Sequence, residues 1–167
     1  ERGDKLRFCA GQNDAVPTSA ISAGAPQGTG TIDITRKSIA GYVAETGEVL
    51  NIRDVYEIPK EEEYGFNDSF DRASGYRTQS VLAVPMREPD GNVIGVIQLI
   101  NARSGVGQET EPFDPQLEEL VSSLASQAAV ALENAQLTAE LKQAYEETIV
   151  RLARAAEYRD TDTGEHI

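Results

Sequence analysis

Two apolar runs of strand length stand only one turn apart in this chain. Residues 80–86 (SVLAVPM) are mostly apolar with β-branched valines, and residues 92–101 (NVIGVIQLIN) form a second such run. Pro89-Asp90-Gly91 lies between them. Proline presets φ and glycine supplies a positive φ, so the tripeptide is a turn. Runs joined in this way pair as a β-hairpin. The second run is almost continuously apolar, which predicts that both its faces are covered. A hairpin at the centre of an antiparallel sheet is therefore the framework around which the other elements must be laid.

Those elements are legible to different degrees. Residues 6–12 read as a short strand and 14–20 as a weaker one, followed by a Gly/Ala/Pro/Gln/Thr loop over 23–31. Thr35 is placed to cap a helix running to about Glu45, with Ile39, Ala40, Val43 and Ala44 on its apolar face. Gly47 is placed to end it, and a strand follows over 49–52. Residues 54–77 have no clean period. They hold Tyr56, Tyr64, Phe66, Phe70 and Tyr76 among the acids Glu57, Glu61, Glu62, Glu63, Asp68 and Asp71. Such a stretch is too apolar for a free loop and too irregular for a long helix, so it is expected as short helical turns packed over something. After a polar stretch at 103–111, Asp114-Pro115 opens a helix expected to reach about residue 158. Its stripe is Leu117, Leu120, Leu124, Ala128, Ala131 and Ala135, continued by Leu141, Tyr145, Ile149, Leu152 and Ala156. A helix of about 40 residues is roughly 60 Å long. Its distal half must therefore pack on another helix, which predicts a homodimer through this element.

Composition narrows the function. The 167 residues suit one domain, or one domain plus an appendage. Fifteen Lys and Arg against 28 Asp and Glu give a net charge of -13. That sign repels a phosphate backbone and an anionic membrane, so neither nucleic acid nor direct membrane insertion is expected. No apolar run reaches the roughly 20 residues a membrane helix needs. Cys9 is the single cysteine, expected as a small core residue of the first strand. One cysteine forms no internal disulfide, which fits a reducing, cytoplasmic compartment. The chain opens at Glu1 without a start methionine and reads as a piece of a longer protein.

Several stretches together resemble a GAF domain. They are residues 38–43 (SIAGYV) with Gly47, 51–54 (NIRD), 75–85 (GYRTQSVLAVP), Asp90-Gly91, 94–101 (IGVIQLIN) and 127–135 (QAAVALENA). The resemblance spans about residues 5–136 and implies an α+β, GAF/PAS-like fold: a central antiparallel sheet flanked by helices, with a long C-terminal helix. The family's leading helix would precede Glu1. GAF domains are sensory modules, some of which bind cyclic nucleotides, bilins, haem or other small effectors. The implied partition is a sensor over 1–136, a connecting signalling helix over 137–157, and a further segment over 158–167. That last segment, YRDTDTGEHI, resembles the opening of an HD-GYP phosphodiesterase domain, a family that hydrolyses cyclic di-GMP at a metal centre. In that family an acid four residues before a histidine, and the histidine itself, ligate metal. Here these are Asp162 and His166, which would act only in an intact parent protein carrying a divalent iron- or manganese-type centre. The fragment itself is expected to have no cofactor and no catalytic residue.

Position in the family pattern gives candidate ligand residues Asp54, Phe66, Phe70, Tyr76, Thr78 and Gln98. The motif of cyclic-nucleotide GAF domains survives only in part, as Asn101, Phe113 and Glu118. Ala102 replaces its lysine and Leu117 its aspartate, so the family's ion pair is missing at both ends. Losing both partners strands no charge, but it puts cyclic-nucleotide binding in doubt. Haem needs an axial ligand, and the only histidine is His166. A bilin needs a cysteine in a different context from Cys9, and the sulfoxide-reductase branch of the family uses several cysteines. The expected function is a small-molecule-sensing GAF domain of a bacterial signalling protein that controls an HD-GYP phosphohydrolase. The alternative is a ligand-free GAF module that only dimerises and spaces an output domain.

Overall fold

The computed structural model describes residues 5–12, 31–103 and 109–162, with side chains described as far as residue 155. The chain divides into two units, Glu1–Ala129 and Val130–Ile167. The expected strand at 14–20, most of the loop at 23–31 and His166 lie outside the described residues.

In the first unit, β1 (Lys5–Arg7) pairs antiparallel with β2 (Thr31–Asp33). Cys9 lies just beyond β1 and is exposed, so the expected core cysteine is corrected: the strand ends at Arg7, before it. Helix α1 (Ile39–Thr46) is capped by Ser38, whose hydroxyl accepts from the Gly41 amide at 3.1 Å. The expected cap, Thr35, instead sits in the preceding turn, its amide bonded to the Asp33 carbonyl. Ser38 wins because it adopts extended dihedrals one residue before the first helical position. Gly47 ends α1 at φ 73°, the left-handed conformation that favours glycine.

The main sheet has the order β3 (Leu50–Ile52), β4 (Val81–Arg87), β5 (Val93–Ile100), antiparallel throughout. The hairpin is as expected, with Leu82 opposite Leu99 and a register break between Met86 and Arg87. Its placement needs correction. The strand covered on both faces is β4, buried from Val81 to Pro85, whereas β5 is an edge of this described sheet and leaves Leu99 and Ile100 exposed. Both runs are similarly apolar; the pairing of β3 onto β4 decides which one is central.

Alternation along β4 builds two cores. Val81 and Ala83 point to one face, where they join Ile39, Val43, Ile52 and Val55. Leu82 and Val84 point to the other, where they meet Phe113, Val121 and Ala125. Fully burying Leu82 and Val84 contributes about 1.5–3 kcal/mol each. After a short pair, β6 (Ala102–Arg103) with β7 (Thr110–Glu111), helix α3 runs over Pro115–Asp162. Its first turn is held by Asp114, whose carboxylate accepts from the Gln116 amide at 2.9 Å. The face α3 gives to the core is not the expected leucine stripe. Val121, Ala125 and Ala129 are buried, while Leu120 and Leu124 are more than half exposed. The side chains that α3 buries are mostly small, and the leucines are left on another face.

Candidate functional site

Residues 54–77 form a lid of short turns, as expected: a 3-10 turn at Val55–Glu57 and helix α2 (Ser69–Ser74). The 3-10 turn starts where the Asp54 carboxylate accepts from the Tyr56 amide at 2.9 Å. The lid is fastened to α1 and the loop before it. Gly65 donates to the Lys37 carbonyl at 3.2 Å, Arg36 bridges Glu63 and Glu45, and the Tyr42 and Tyr64 rings lie 5.0 Å apart. Paired with two carboxylates, the Arg36 guanidinium is held above its ordinary pKa, chiefly by its hydrogen bond to Glu63.

Between these turns opens a cleft of about 490 Å³ whose walls include Val55, Tyr56, Ile58, Tyr64 and Phe66. Tyr64 and Phe66 back onto the first core. Phe66 meets Tyr56 edge-on, with centroids 5.3 Å apart. The rim carries Lys60, Glu62 and Asp68. Asp68 is bound to Arg72 at 2.7 Å, so Lys60 alone among the lining residues offers a cation. A phosphate would therefore find a single cation among the lining residues. Burial and the neighbouring Glu62 push the Tyr64 phenol above its ordinary pKa.

The six sequence-derived ligand candidates are not gathered in one place. Phe66 lines the cleft. Asp54 stands behind it, capping the Tyr56 turn and reaching Arg77 at 3.4 Å. Phe70 lies half-buried on α2. The Tyr76 hydroxyl accepts from Asn101 at 2.9 Å. Thr78 is buried against Asp71. Gln98 is exposed on β5, opposite Ala83. The residue that sequence reasoning did not single out is Asp71, counted there only among the lid's acids. It is 5% exposed, and its carboxylate takes three hydrogen bonds from Tyr56 and Thr78. Nothing in its local sequence marks it, since the partners lie 15 and 7 residues away.

The surviving motif residues act as joints. Asn101 holds φ 59°, accepts from the Gln79 amide at 2.6 Å, and donates to Tyr76 and to the Arg77 carbonyl. It thereby ties the end of β5 to the segment entering β4. Glu118 accepts from the Asn51 side chain at 2.8 Å, and the same amide donates to the Phe113 carbonyl at 3.1 Å. That links β3 to the start of α3. Ala102, in the place of the missing lysine, packs against the second core, and Leu117 is exposed. Neither position leaves a charge unpaired.

The GAF domain family profile matches residues 7–132. The chain belongs to the GAF family. A curated relative is the Takifugu rubripes dual 3',5'-cyclic-AMP and -GMP phosphodiesterase 11A, 37% identical over 110 residues, covering 66% of this chain and 11% of that protein. A second is the Drosophila melanogaster dual 3',5'-cyclic-AMP and -GMP phosphodiesterase 11, 36% identical over 131 residues, covering 77% of this chain and 8% of that protein. The GAF chain thus spans about a tenth of the length of these curated relatives. The GAF domain of a Coxiella burnetii phosphoenolpyruvate-protein phosphotransferase shares the fold, with a TM-score of 0.50 at 18% identity, covering 65% of this chain and 56% of that one. The α+β GAF architecture with its long C-terminal helix is therefore established, and with it a sensory, regulatory class of domain. Among the described residues no helix is long and apolar enough to cross a membrane, and no group of three or more His, Cys, Asp or Glu is placed to hold a metal.

Proposed function

We propose that this GAF domain senses a small molecule in the lid cleft and passes the state of the lid to an output domain that follows α3. The observation that carries this reading is the placement of β4. The lid and α1 cover one of its faces, and α3 starts from the other, so a change in the lid reaches the helix through one packed strand. The cytoplasm is the proposed location.

The output is a phosphohydrolase. The curated relatives are phosphodiesterases, and the tail resembles the opening of an HD-GYP domain. On this reading the intact parent is a bacterial protein that hydrolyses cyclic di-GMP, with Asp162 and His166 among the ligands of a divalent iron- or manganese-type centre. Asp162 ends α3, but its side chain lies outside the described residues, as does His166, so the ligand assignment rests on sequence alone. Two ligands do not complete such a centre, and this chain acts as regulator rather than catalyst. Cleavage of cyclic di-GMP, but not of cAMP or cGMP, by the intact parent protein supports this assignment; the reverse preference overturns it.

The second unit supports a homodimer. Leu141, Tyr145 and Leu152 are exposed on α3 at spacings of four and seven, a seam that a second copy would cover. Sedimentation equilibrium on this chain reads the association directly.

Ligand sensing is tested by thermal melts with cAMP, cGMP and a panel of nucleosides and free bases. At a hundredfold over its dissociation constant a ligand that binds only the native state stabilises by about 2.7 kcal/mol, which for a domain of this size is roughly 5–10 °C. A shift with free bases and none with cyclic nucleotides is the expected pattern. A flat panel, with dimerisation intact, returns the domain to the ligand-free spacer reading.

A further inference from the structure

We propose that Asp71 is a positioning residue that makes the cleft wall and the entry to the central strand open as one unit. The proposal rests on the lid reading above and assigns the step by which the lid reports its state. Tyr56 is the cleft wall concerned. The residue is 43% exposed, and its ring lies edge-on to Phe66 and sits under the Arg77 guanidinium at 4.5 Å. Its hydroxyl donates to Asp71 Oδ2 at 2.8 Å. The same oxygen accepts from the Thr78 amide at 2.7 Å, and Oδ1 accepts from the Thr78 hydroxyl at 2.9 Å. Thr78 stands three residues before β4.

These bonds close a ring. The residue after Thr78, Gln79, accepts at its carbonyl from the Val55 amide at 3.0 Å, and Val55 is Tyr56's neighbour. Gln79 also donates to Asn101 at the end of β5. A ligand that pushes Tyr56 aside therefore removes a hydrogen bond from a carboxylate that is only 5% exposed. The remaining bonds, on Thr78 and Gln79, lead straight into β4 and β5. The bond to Asp71, followed by partial burial, also raises the Tyr56 phenol above its ordinary pKa, as expected of a donor held by a carboxylate.

Coupling of this kind is reciprocal, so it can be tested in the free protein, without knowing the ligand. Hydrogen–deuterium exchange with peptide resolution is measured for wild type, Tyr56→Phe, Thr78→Val and Thr78→Ser. Tyr56→Phe is expected to speed exchange about fivefold, the factor that accompanies loss of one ordinary hydrogen bond, both in residues 54–58 and in residues 77–80. Thr78→Val is expected to do the same in both segments, and Thr78→Ser, which keeps the hydroxyl and the amide, to match wild type. Acceleration confined to the segment that carries the substitution overturns the proposal and leaves Asp71 as a local clamp. A spectroscopic readout guards against variants that merely loosen the fold: in Asp71→Asn the tyrosinate absorbance attributed to Tyr56, as defined by its loss in Tyr56→Phe, develops at lower pH than in wild type. An unmoved tyrosinate profile counts against the proposal as well. Failure of the ligand panel with reciprocal exchange intact would overturn sensing but not the coupling; the opposite pair of results would do the reverse.

Discussion

Helix α3 is one continuous element that lives under two regimes. Up to Ala129 it is read by its own domain, which buries Val121, Ala125 and Ala129 at a spacing of four. Beyond Val130 the same spacing continues as Leu137, Leu141, Tyr145 and Ile149, and every one of these is exposed. The buried positions are mostly small and the exposed ones large, the inverse of what hydrophobicity alone would rank. Val121 and Ala125 are buried because they pack among Leu82, Val84 and Phe113. Leu137, Leu141, Tyr145 and Ile149 stay exposed because none of the described residues covers them. The first stretch is stabilised by tertiary packing; the second has helix propensity and an exposed apolar seam, the one proposed above to pair with another copy.

That contrast can be broken at several points. The largest effect is expected in the core that α3 shares with β4. Leu82→Ala removes a fully buried side chain and should cost about 3–4 kcal/mol, a fall in melting temperature of roughly 10 °C by calorimetry. The seam comes next. Charging it with Leu141→Lys and Leu152→Lys should weaken self-association by at least about a hundredfold in sedimentation equilibrium, while the melting of the first unit stays where it was. If both fall together, the two stretches of the helix are not independent and the contrast is wrong. A finer pair lies one residue apart. Ala125→Leu should cost about 1–3 kcal/mol by overpacking, and Leu124→Ala less than about 0.5 kcal/mol, measured by urea unfolding. Equal costs would mean that the leucine face, not the alanine face, carries the packing.

The smallest effect is a pH dependence confined to the first unit. The phenols of Tyr42, Tyr56 and Tyr64 are all held above their ordinary range: Tyr42 first by its hydrogen bond to Glu48, Tyr56 first by its bond to Asp71, and Tyr64 first by burial. Raised folded values mean that the neutral phenol is the form the fold prefers. The stability they contribute is fully present below the ordinary tyrosine pKa of about 10, and is lost as pH rises through the raised folded values. Urea midpoints should therefore be flat up to about pH 9 and fall above about pH 10, with a shallower fall in Tyr56→Phe. A fall that begins well below that range would point to other groups.

Much of the fold was legible because its signals are local. The Pro-Asp-Gly turn between two apolar runs defines the hairpin, Gly47 marks the end of α1 and Asp114-Pro115 the start of α3. Each acts within a few residues, through dihedral preference or a single cap. The candidate site was legible only as a region. Its aromatic content marked the lid, and Phe66 lines the cleft, but Asp71 looked like any other acid of an acidic stretch. Its role exists only once α2 sets it beside Tyr56 and Thr78.

By itself, then, the sequence determined where chain elements begin, end and turn, since those follow from interactions between near neighbours. The tertiary structure alone decided which strand is central, which face of α3 is buried and which carboxylate carries the lid. Such choices depend on pairings like Asn51 with Glu118, 67 residues apart, where burial and hydrogen-bond satisfaction are properties of the assembled core rather than of any segment within it.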